Sequence, residues 1–169
     1  PKFSKNNPLV EKSHIKPAQQ KGEFVRGVST FRSILGEAAE FPSEPNRYHL
    51  FVAFNCPWCH RVTLARNLLG LEKSVTMDIA FPNRTGEDDA AGPGLWEFNP
   101  KRQATLTETP LPECTKETGT GKKYRLVKQI YEAEGSDETS LPILYDNQKQ
   151  RIVANGSAHI VVSYTHLVL

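Results

Sequence analysis

A Cys-x-x-Cys-His motif is the part of the sequence with the clearest chemical potential. Its two cysteines, Cys56 and Cys59, follow an apolar run at 50–54 and precede a segment at 62–70 with a helical pattern. They are therefore predicted to lie where a buried strand turns into a helix. A helix start offers unpaired backbone N–H groups and the positive end of the macrodipole, which favour a thiolate over a thiol. The spacing predicts a cysteine that is nucleophilic at neutral pH.

The two cysteines occupy different positions on the predicted helix. Cys56 lies at or just before its start, whereas Cys59 is one turn in, with its thiol directed towards the domain. Cys56 is therefore the predicted nucleophile. His60 and Arg61 either stabilise the thiolate further or belong to a solvated helix face, and the sequence leaves both interpretations open. Cys114 lies in a loop without such surroundings, and we assign it no role.

Three other interpretations of the motif compete with thiol chemistry. Attachment of a c-type haem needs an exported chain and usually a second axial ligand, and the buried strand directly before the motif does not suit it. A zinc site needs two more ligands, and Cys114 with a distant histidine is poor spacing. Packing alone is disfavoured because two cysteines at i and i+3 begin the helix. We therefore expect thiol chemistry and no metal.

The segments around the motif have clear secondary-structure patterns. Residues 50–54 are almost continuously apolar, which is typical of a central strand buried on both faces. Pro57 suits the first helical position and Gly70 a C-cap, and residues 75–79 alternate as a half-exposed strand should. The apolar stripe predicted to face the core from this helix is Trp58, Val62, Ala65 and Leu69.

Residues 81–122 contain no sustained repeat, and a connection of this length inside a domain is usually functional or an insertion. A helical pattern, a hairpin pattern and a last helical pattern follow it, at 124–135, at 141–153 and from Asn155.

This order of elements is that of an α/β, thioredoxin-like fold, with the Cys-x-x-Cys after the first strand of the core. Pro142 opens the first strand of the hairpin. If its peptide bond is cis, neighbouring backbone groups turn towards the thiol helix, where an extended peptide could pair with them. The alternative is an ordinary trans proline at a sheet edge.

Composition indicates one domain with long loops. The chain has 169 residues, 38% of them hydrophobic, with 12 prolines and 11 glycines. Residues 1–35 carry seven Lys/Arg and two Asp/Glu, a net +5, which leaves the remainder at −3 within the overall +2. Residues 1–20 are polar without a repeat, so an N-terminal arm is expected. Basic residues are not interleaved with aromatic ones, so nucleic-acid binding is not expected.

A helix is also expected just before the core. The apolar residues Phe24, Val28, Phe31 and Leu35 fall on one helical face, although Gly27 interrupts the pattern.

The cysteines and the absence of long apolar runs bear on location. Three cysteines, two of them in one motif, do not form a disulfide framework, so cytoplasm is the default expectation. No run approaches the roughly 18 residues of a membrane span, and we expect no membrane partner. The sequence begins with Pro1 rather than Met, so a segment removed from its start remains open.

Seven short motifs occur in a characteristic order: Phe24–Arg26, Phe31–Arg32, Arg47–Leu50, Cys56–Arg61, Gly70–Glu72, Trp96–Phe98 and Leu141–Asp146. Together they resemble the N-terminal half of the glutathionyl-hydroquinone reductases, which are Xi-class relatives of the omega glutathione transferases. The resemblance runs from about residue 22 to about residue 160 and is more specific than Cys-x-x-Cys alone.

The resemblance implies a thioredoxin-like glutathione domain with glutathione as co-substrate. In that family the first cysteine attacks the thioether-linked glutathione of a glutathionyl hydroquinone, releasing free hydroquinone. The resulting mixed disulfide is resolved by a second glutathione. Cys56 would be that nucleophile, and the other partner would be a glutathionylated aromatic or quinone-type compound. A homodimer is left open.

The resemblance also implies a set of binding residues. Trp96 would pack on glutathione, the backbone of Leu141 beside Pro142 would pair with its cysteinyl moiety, and Ser157 would take the γ-glutamyl carboxylate at a helix start. The full expected glutathione-binding set is Pro57, Trp58, Trp96, Leu141, Pro142 and Ser157. An extended, doubly carboxylated tripeptide does need a strand edge and anion-binding helix ends.

The sequence departs from the family pattern at four places. Cys59 stands where the family usually has Ala, which allows a glutaredoxin-like dithiol route. Gly156 replaces an acidic residue expected to hold the glutathione amino group, and Glu138 replaces an arginine, so it is expected to repel a glutathione carboxylate. After Ile160 the sequence no longer follows the family, so we do not expect residues 161–169 to begin the family's helical C-terminal domain.

These departures define the expected domain organisation and a further alternative. We expect an N-terminal arm and extension over 1–46, a thioredoxin-like glutathione-binding domain over 47–162, and a tail at 163–169 that does not match the family. A thioredoxin-like module that binds without catalysing turnover is the alternative from a different functional class.

Overall fold

The computed structural model describes residues 29–36, 39–102 and 113–168. Within these ranges the chain forms β1 (Tyr48–Val52), α1 (Pro57–Leu68), β2 (Val75–Ile79), α2 (Val127–Glu132), β3 (Ile143–Asp146), β4 (Arg151–Ala154) and α3 (Ser157–Thr165). The predicted order of elements is confirmed. The predicted arm over 1–20, and the part of the predicted helix that precedes residue 29, lie outside the described residues.

The four strands form one mixed sheet in the order β2-β1-β3-β4. β1 pairs with β2 in parallel and with β3 antiparallel, and β3 pairs antiparallel with β4. Because β1 and β2 are parallel neighbours, their carboxyl ends meet at the same edge of the sheet. There the Asn55 side chain donates a hydrogen bond to the carbonyl of Pro82 at 2.6 Å. The predicted thioredoxin-like fold class is confirmed.

β1 is one of the two central strands of the sheet, and all five of its residues are buried. It begins two residues before the predicted run because Tyr48 and His49 continue the parallel register with β2. The buried ion pair between Arg47 and Asp146, at 2.6 Å, fixes the start of β1 to the end of β3. The strand that precedes the motif is therefore held from both sides.

The buried face of α1 differs from the predicted stripe. Only Val62 of that stripe is fully buried, and Trp58 and Leu69 are 38% and 37% exposed. The residues that do face the interior are Cys59, Val62, Thr63 and Arg66. The predicted stripe was wrong because a pattern of apolar residues leaves out Arg66, which lies on the buried face. Its guanidinium is buried and donates to the carbonyls of Val75 and Glu72 at 2.7 and 2.8 Å.

The segment 29–36 is extended rather than helical. Ser33 N donates to the Val153 carbonyl, and Asn155 N donates to the Phe31 carbonyl, both at 3.1 Å. The helix expected to place Phe31 and Leu35 on one face is therefore wrong in the described part. The reason is that β4 is an edge strand whose backbone groups need partners, and an extended segment supplies them. Leu35 is still buried, at 1% exposed.

The connection between β2 and α2 is irregular in its described parts, as predicted, but it is tied to the sheet by buried carboxylates. Asp78 at the end of β2 accepts hydrogen bonds from the backbone N and the hydroxyl of Thr118, at 2.6 and 2.9 Å. His49 Nε2 lies 3.0 Å from the same carboxylate oxygen. Glu117 accepts from the backbone N of Thr120 at 2.6 Å. The loop therefore has a fixed position on the sheet.

The last helix packs against the helix that carries the motif. α3 continues to Thr165, and its Tyr164 is fully buried in the core. The hydroxyl of Ser163 accepts a hydrogen bond from the backbone N of Leu35 at 3.2 Å. Among the helices of the described residues, none is long and apolar enough to cross a membrane.

Candidate active site

Cys56 is the N-cap residue of α1, with Pro57 as the first residue of the helix. Its backbone N donates to the Ala53 carbonyl and its carbonyl accepts from His60 N, both at 3.0 Å, which closes the turn between β1 and α1. The Cys56 side chain is half-buried. The predicted thiol at a strand-to-helix turn is confirmed.

The surroundings of Cys56 lower its thiol pKa to about 6. The largest cause is a hydrogen bond from the Cys59 thiol, supported by the backbone N–H groups of Cys59 and Trp58 and by the charge of Arg84, while partial burial acts in the opposite direction. Cys59 itself is fully buried, and burial followed by the interaction with Cys56 raises its pKa. The negative charge therefore resides on Cys56, and the proton remains on Cys59.

Leu141 and Pro142 lie opposite the motif, immediately before β3. The peptide bond between them is cis, so the alternative of a trans proline is wrong. The carbonyl oxygen of Leu141 lies 3.7 Å from Cys56 Sγ. A backbone segment that could pair with an extended peptide is thus in direct contact with the thiol.

The start of α3 lies next to the motif helix. Gly156 is its N-cap and Ser157 its first residue. Arg61 donates from Nη1 to Ser157 Oγ at 3.3 Å, and its guanidinium lies 5.1 Å from the ring centroid of Trp58. Arg61 therefore links the two helix starts and is more than a solvated residue on the face of α1.

Glu138 and Gly156, two of the residues that depart from the family pattern, both make close local contacts near this site. The Glu138 carboxylate accepts hydrogen bonds from Thr30, Asn155 and Ser140, so its charge is engaged within the protein. At Gly156, an added Cβ would lie 2.8 Å from His159 Nδ1 and 3.1 Å from Ser29 Oγ. The space that an acidic side chain would need there is therefore occupied.

Trp96 lies at the edge of the site and is almost completely buried, at 5% exposed. The guanidinium carbon of Arg84 lies 4.0 Å from its ring centroid, so one ring face is covered by an exposed arginine. Sequence reasoning missed Arg84 because it lies in an irregular loop. The available signal was its position shortly after β2, whose carboxyl end neighbours that of β1.

The structure thus brings most of the predicted site residues to the α1 end of the sheet. Those at the facing helix starts and the cis-proline are Cys56, Pro57, Trp58, Cys59, Leu141, Pro142 and Ser157. Cys114 is buried, and burial raises its pKa. Within the described ranges, no group of three or more His, Cys, Asp or Glu side chains is arranged to hold a metal ion.

The fold and the acidic thiol together define a thioredoxin-like domain of the kind found in glutathione transferases. No protein-family model matches the sequence. The chain is 34% identical over 145 residues to the glutathionyl-hydroquinone reductase PcpF of Sphingobium chlorophenolicum, covering 83% of this chain and 39% of that protein.

Solved structures show the same relationship. The glutathione-bound structure of YqjG, a glutathione transferase homolog from Escherichia coli K-12, matches with a TM-score of 0.62 and 28% identity, over 79% of this chain and 41% of that one. The Xi glutathione-S-transferase of Phanerochaete chrysosporium matches with a TM-score of 0.65 and 26% identity, over 83% of this chain and 43% of that one.

The chain is therefore a relative of the glutathionyl-hydroquinone reductases and Xi-class glutathione transferases, and the resemblance expected from its motifs is confirmed. It spans about two fifths of the length of these relatives.

Proposed function

We propose that this chain carries the glutathione-binding, thiol-transferring part of a glutathione-dependent transferase of the glutathionyl-hydroquinone reductase type, with Cys56 as its nucleophile. The observation that carries this proposal is the Cys56 thiol, whose pKa of about 6 makes it mostly thiolate at neutral pH. A lowered pKa at a helix start is the usual property of a catalytic cysteine.

In the proposed reaction, the Cys56 thiolate attacks the glutathionyl sulfur of a glutathionyl hydroquinone. The sulfur–carbon bond of the thioether breaks, its electron pair passes to the ring carbon, and that carbon takes a proton to give free hydroquinone. Cys56 is thereby oxidised to a mixed disulfide with glutathione. A second glutathione thiolate attacks this disulfide, which yields glutathione disulfide and restores the Cys56 thiolate.

The surrounding residues support one orientation of bound glutathione, with its cysteinyl part at Leu141 and its γ-glutamyl end at the start of α3. In this proposal Leu141, whose carbonyl lies 3.7 Å from Cys56 Sγ, pairs with the cysteinyl backbone. Ser157 and the N–H groups at the start of α3 take the γ-glutamyl carboxylate. The Trp58 ring contacts Arg61, and Arg61 donates a hydrogen bond to Ser157 on the proposed γ-glutamyl side.

The test is mass spectrometry of the intact chain after incubation with oxidised glutathione. We expect one glutathionyl group on Cys56, located by peptide mapping. The Cys56→Ser variant should lose the adduct, whereas the Cys114→Ala variant, which removes a buried thiol, should keep it. An unmodified Cys56 in the folded wild-type chain would contradict the proposal and favour a binding module without turnover.

A second candidate, a glutaredoxin-like dithiol oxidoreductase, is supported by the contact between the two thiols. Cys59 donates to Cys56 and thus lies within reach of a mixed disulfide at that position. In this route Cys59 attacks Cys56, expels glutathione and forms an intramolecular disulfide. The candidate predicts that the wild-type adduct decays to a Cys56–Cys59 disulfide and that Cys59→Ser stabilises the adduct. An adduct of equal lifetime in both proteins favours the transferase route.

A further inference from the structure

Arg84 is an exposed arginine that the reaction above leaves without a role. Its guanidinium stacks on Trp96 with 4.0 Å between the guanidinium carbon and the ring centroid, and its Nη1 donates to the Gly94 carbonyl at 2.9 Å. No carboxylate among residues 29–36, 39–102 and 113–168 forms an ion pair with it. An arginine has five N–H donors in a rigid fork suited to a carboxylate. Arg84 is thus a cation held in one position, and its guanidinium has N–H donors beyond the one that binds the Gly94 carbonyl.

The backbone beside Arg84 is held as firmly as its side chain. Thr85, which is 5% exposed, donates from its backbone N to the Leu95 carbonyl and accepts at its own carbonyl from Gly94 N, both at 2.9 Å. Its hydroxyl also donates to the Gly92 carbonyl at 2.7 Å and accepts from Leu95 N at 2.9 Å. A residue next to such an anchor loses little conformational freedom when it binds a ligand.

Arg84 lies on the same edge of the sheet as the thiol. It follows β2 and Cys56 follows β1, and these parallel strands end side by side. The hydrogen bond from Asn55 to Pro82 ties the two connections together at 2.6 Å. The charge of Arg84 is also among the groups that lower the Cys56 pKa. Ligands of such sheets bind outside the carboxyl ends of the strands.

The order of the strands determines which elements lie at each end of this edge of the sheet. Arg84 follows β2 at one margin of the sheet, α3 follows β4 at the other, and Cys56 and Leu141 lie between them. Glutathione is an extended tripeptide with its thiol in the middle and a carboxylate at each end. With the γ-glutamyl carboxylate at Ser157 and the sulfur at Cys56, its glycyl end must extend towards β2.

We propose that Arg84 binds the glycyl carboxylate of glutathione and so positions its sulfur against Cys56. This inference rests on the proposed function, since it takes glutathione as the ligand. Trp96, under the guanidinium, serves as the support that holds Arg84 in place. A structural role for Arg84, limited to covering the Trp96 ring, is the alternative that an experiment must separate.

The experiment measures second-order rate constants for adduct formation at Cys56 with two probes, glutathione disulfide and the disulfide of glutathione glycyl ethyl ester. Wild type should react about ten- to a hundredfold more slowly with the ester, the usual effect of a lost charge-assisted hydrogen bond. Arg84→Met, which keeps an apolar stem over Trp96, should lose the same factor with the free acid and nothing further with the ester. Arg84→Lys should recover part of the loss.

The control variant is Arg151→Met, which removes another exposed arginine. Arg151 lies on β4 and forms an ion pair with Glu40. This variant should react with both probes as wild type does. The rate of Cys56 alkylation by iodoacetamide, a small neutral reagent, reports the thiolate content of each variant. Each rate constant for adduct formation is divided by that alkylation rate.

The outcomes separate the two proposals. Wild type that does not distinguish the acid from the ester overturns the role of Arg84, even if Arg84→Met fails to fold. So does an Arg84→Met protein that reacts normally with glutathione disulfide, or one that slows equally with both probes. Wild type that alkylates but forms no glutathione adduct overturns the proposed function and this inference with it.

Discussion

At the scale of single residues, Cys59 is the main determinant of Cys56 acidity. Its thiol hydrogen bond is the largest of the effects that lower the Cys56 pKa. Cys59 is one of the positions at which the sequence departs from the usual family pattern. Its contact with Cys56 gives that difference a physical consequence, because a side chain without a donor at this position could not stabilise the thiolate.

Replacing Cys59 tests this directly. In Cys59→Ala the Cys56 pKa should rise from about 6 towards its ordinary 9.0, because the thiol donor is lost. Cys59→Ser is the matched control, since its hydroxyl keeps a donor of similar size, and it should titrate closer to wild type. The pH dependence of iodoacetamide alkylation measures both, and at pH values below both pKa values the rate is about tenfold lower for each unit by which the pKa is raised. Equal titration curves for Cys59→Ala and wild type would show that the backbone N–H groups suffice.

At the scale of elements, the loop between β2 and α2 depends on a close approach to β1. Gly119 lies against two buried β1 side chains, and a Cβ built on it would be 2.4 Å from His49 Cδ2 and 2.9 Å from Phe51 Cζ. Both rings are packed inside the domain and have little room to move. Only a residue without a side chain fits there while Thr118 binds Asp78.

Gly119→Ala should therefore destabilise the domain by about 1–3 kcal/mol, the usual cost of overpacking. Gly36→Ala is the control, because its added Cβ would meet Ala39 Cβ at an ordinary 3.6 Å. Urea unfolding followed by circular dichroism measures both variants. If the two alanine variants unfold at the same urea concentration, the loop does not pack on β1 as described.

At the scale of the whole molecule, the ionisation of Cys56 is coupled to folding. Its folded pKa of about 6 lies below its ordinary value of 9.0, so between these pH values the unfolded chain binds more protons than the folded one. Stability from this group is therefore fully present above pH 9 and is lost as the pH falls through about 6.

Thermal unfolding under reducing conditions should show this difference. From pH 6 to pH 9 the melting temperature of wild type should increase relative to that of Cys56→Ser, which lacks the titrating thiol. Taking the difference between the two proteins removes the effect of every other titrating group. Parallel melting curves across that interval would mean that the folded pKa of Cys56 is not lowered.

The sequence by itself determined the strand, thiol turn and helix around Cys56. Residues 50–54 are apolar without interruption, Pro57 suits the first position of a helix, and Gly70 adopts a φ of +67° where a C-cap was predicted. These features depend on neighbours within a few positions, so short-range patterns and backbone sterics are enough to identify them. The helical and hairpin patterns at 124–135, at 141–153 and from Asn155 then indicated the order of the remaining elements.

Only the tertiary structure decided the contacts between distant segments. Phe31 lies in an extended segment because the β4 edge needed partners, and the Glu138 carboxylate accepts hydrogen bonds from donors that include Asn155. Arg84 lies on the same edge of the sheet as Cys56 because β2 ends beside β1. Such contacts join residues tens of positions apart, and no local pattern records which buried donor, ring face or strand edge each of them will meet.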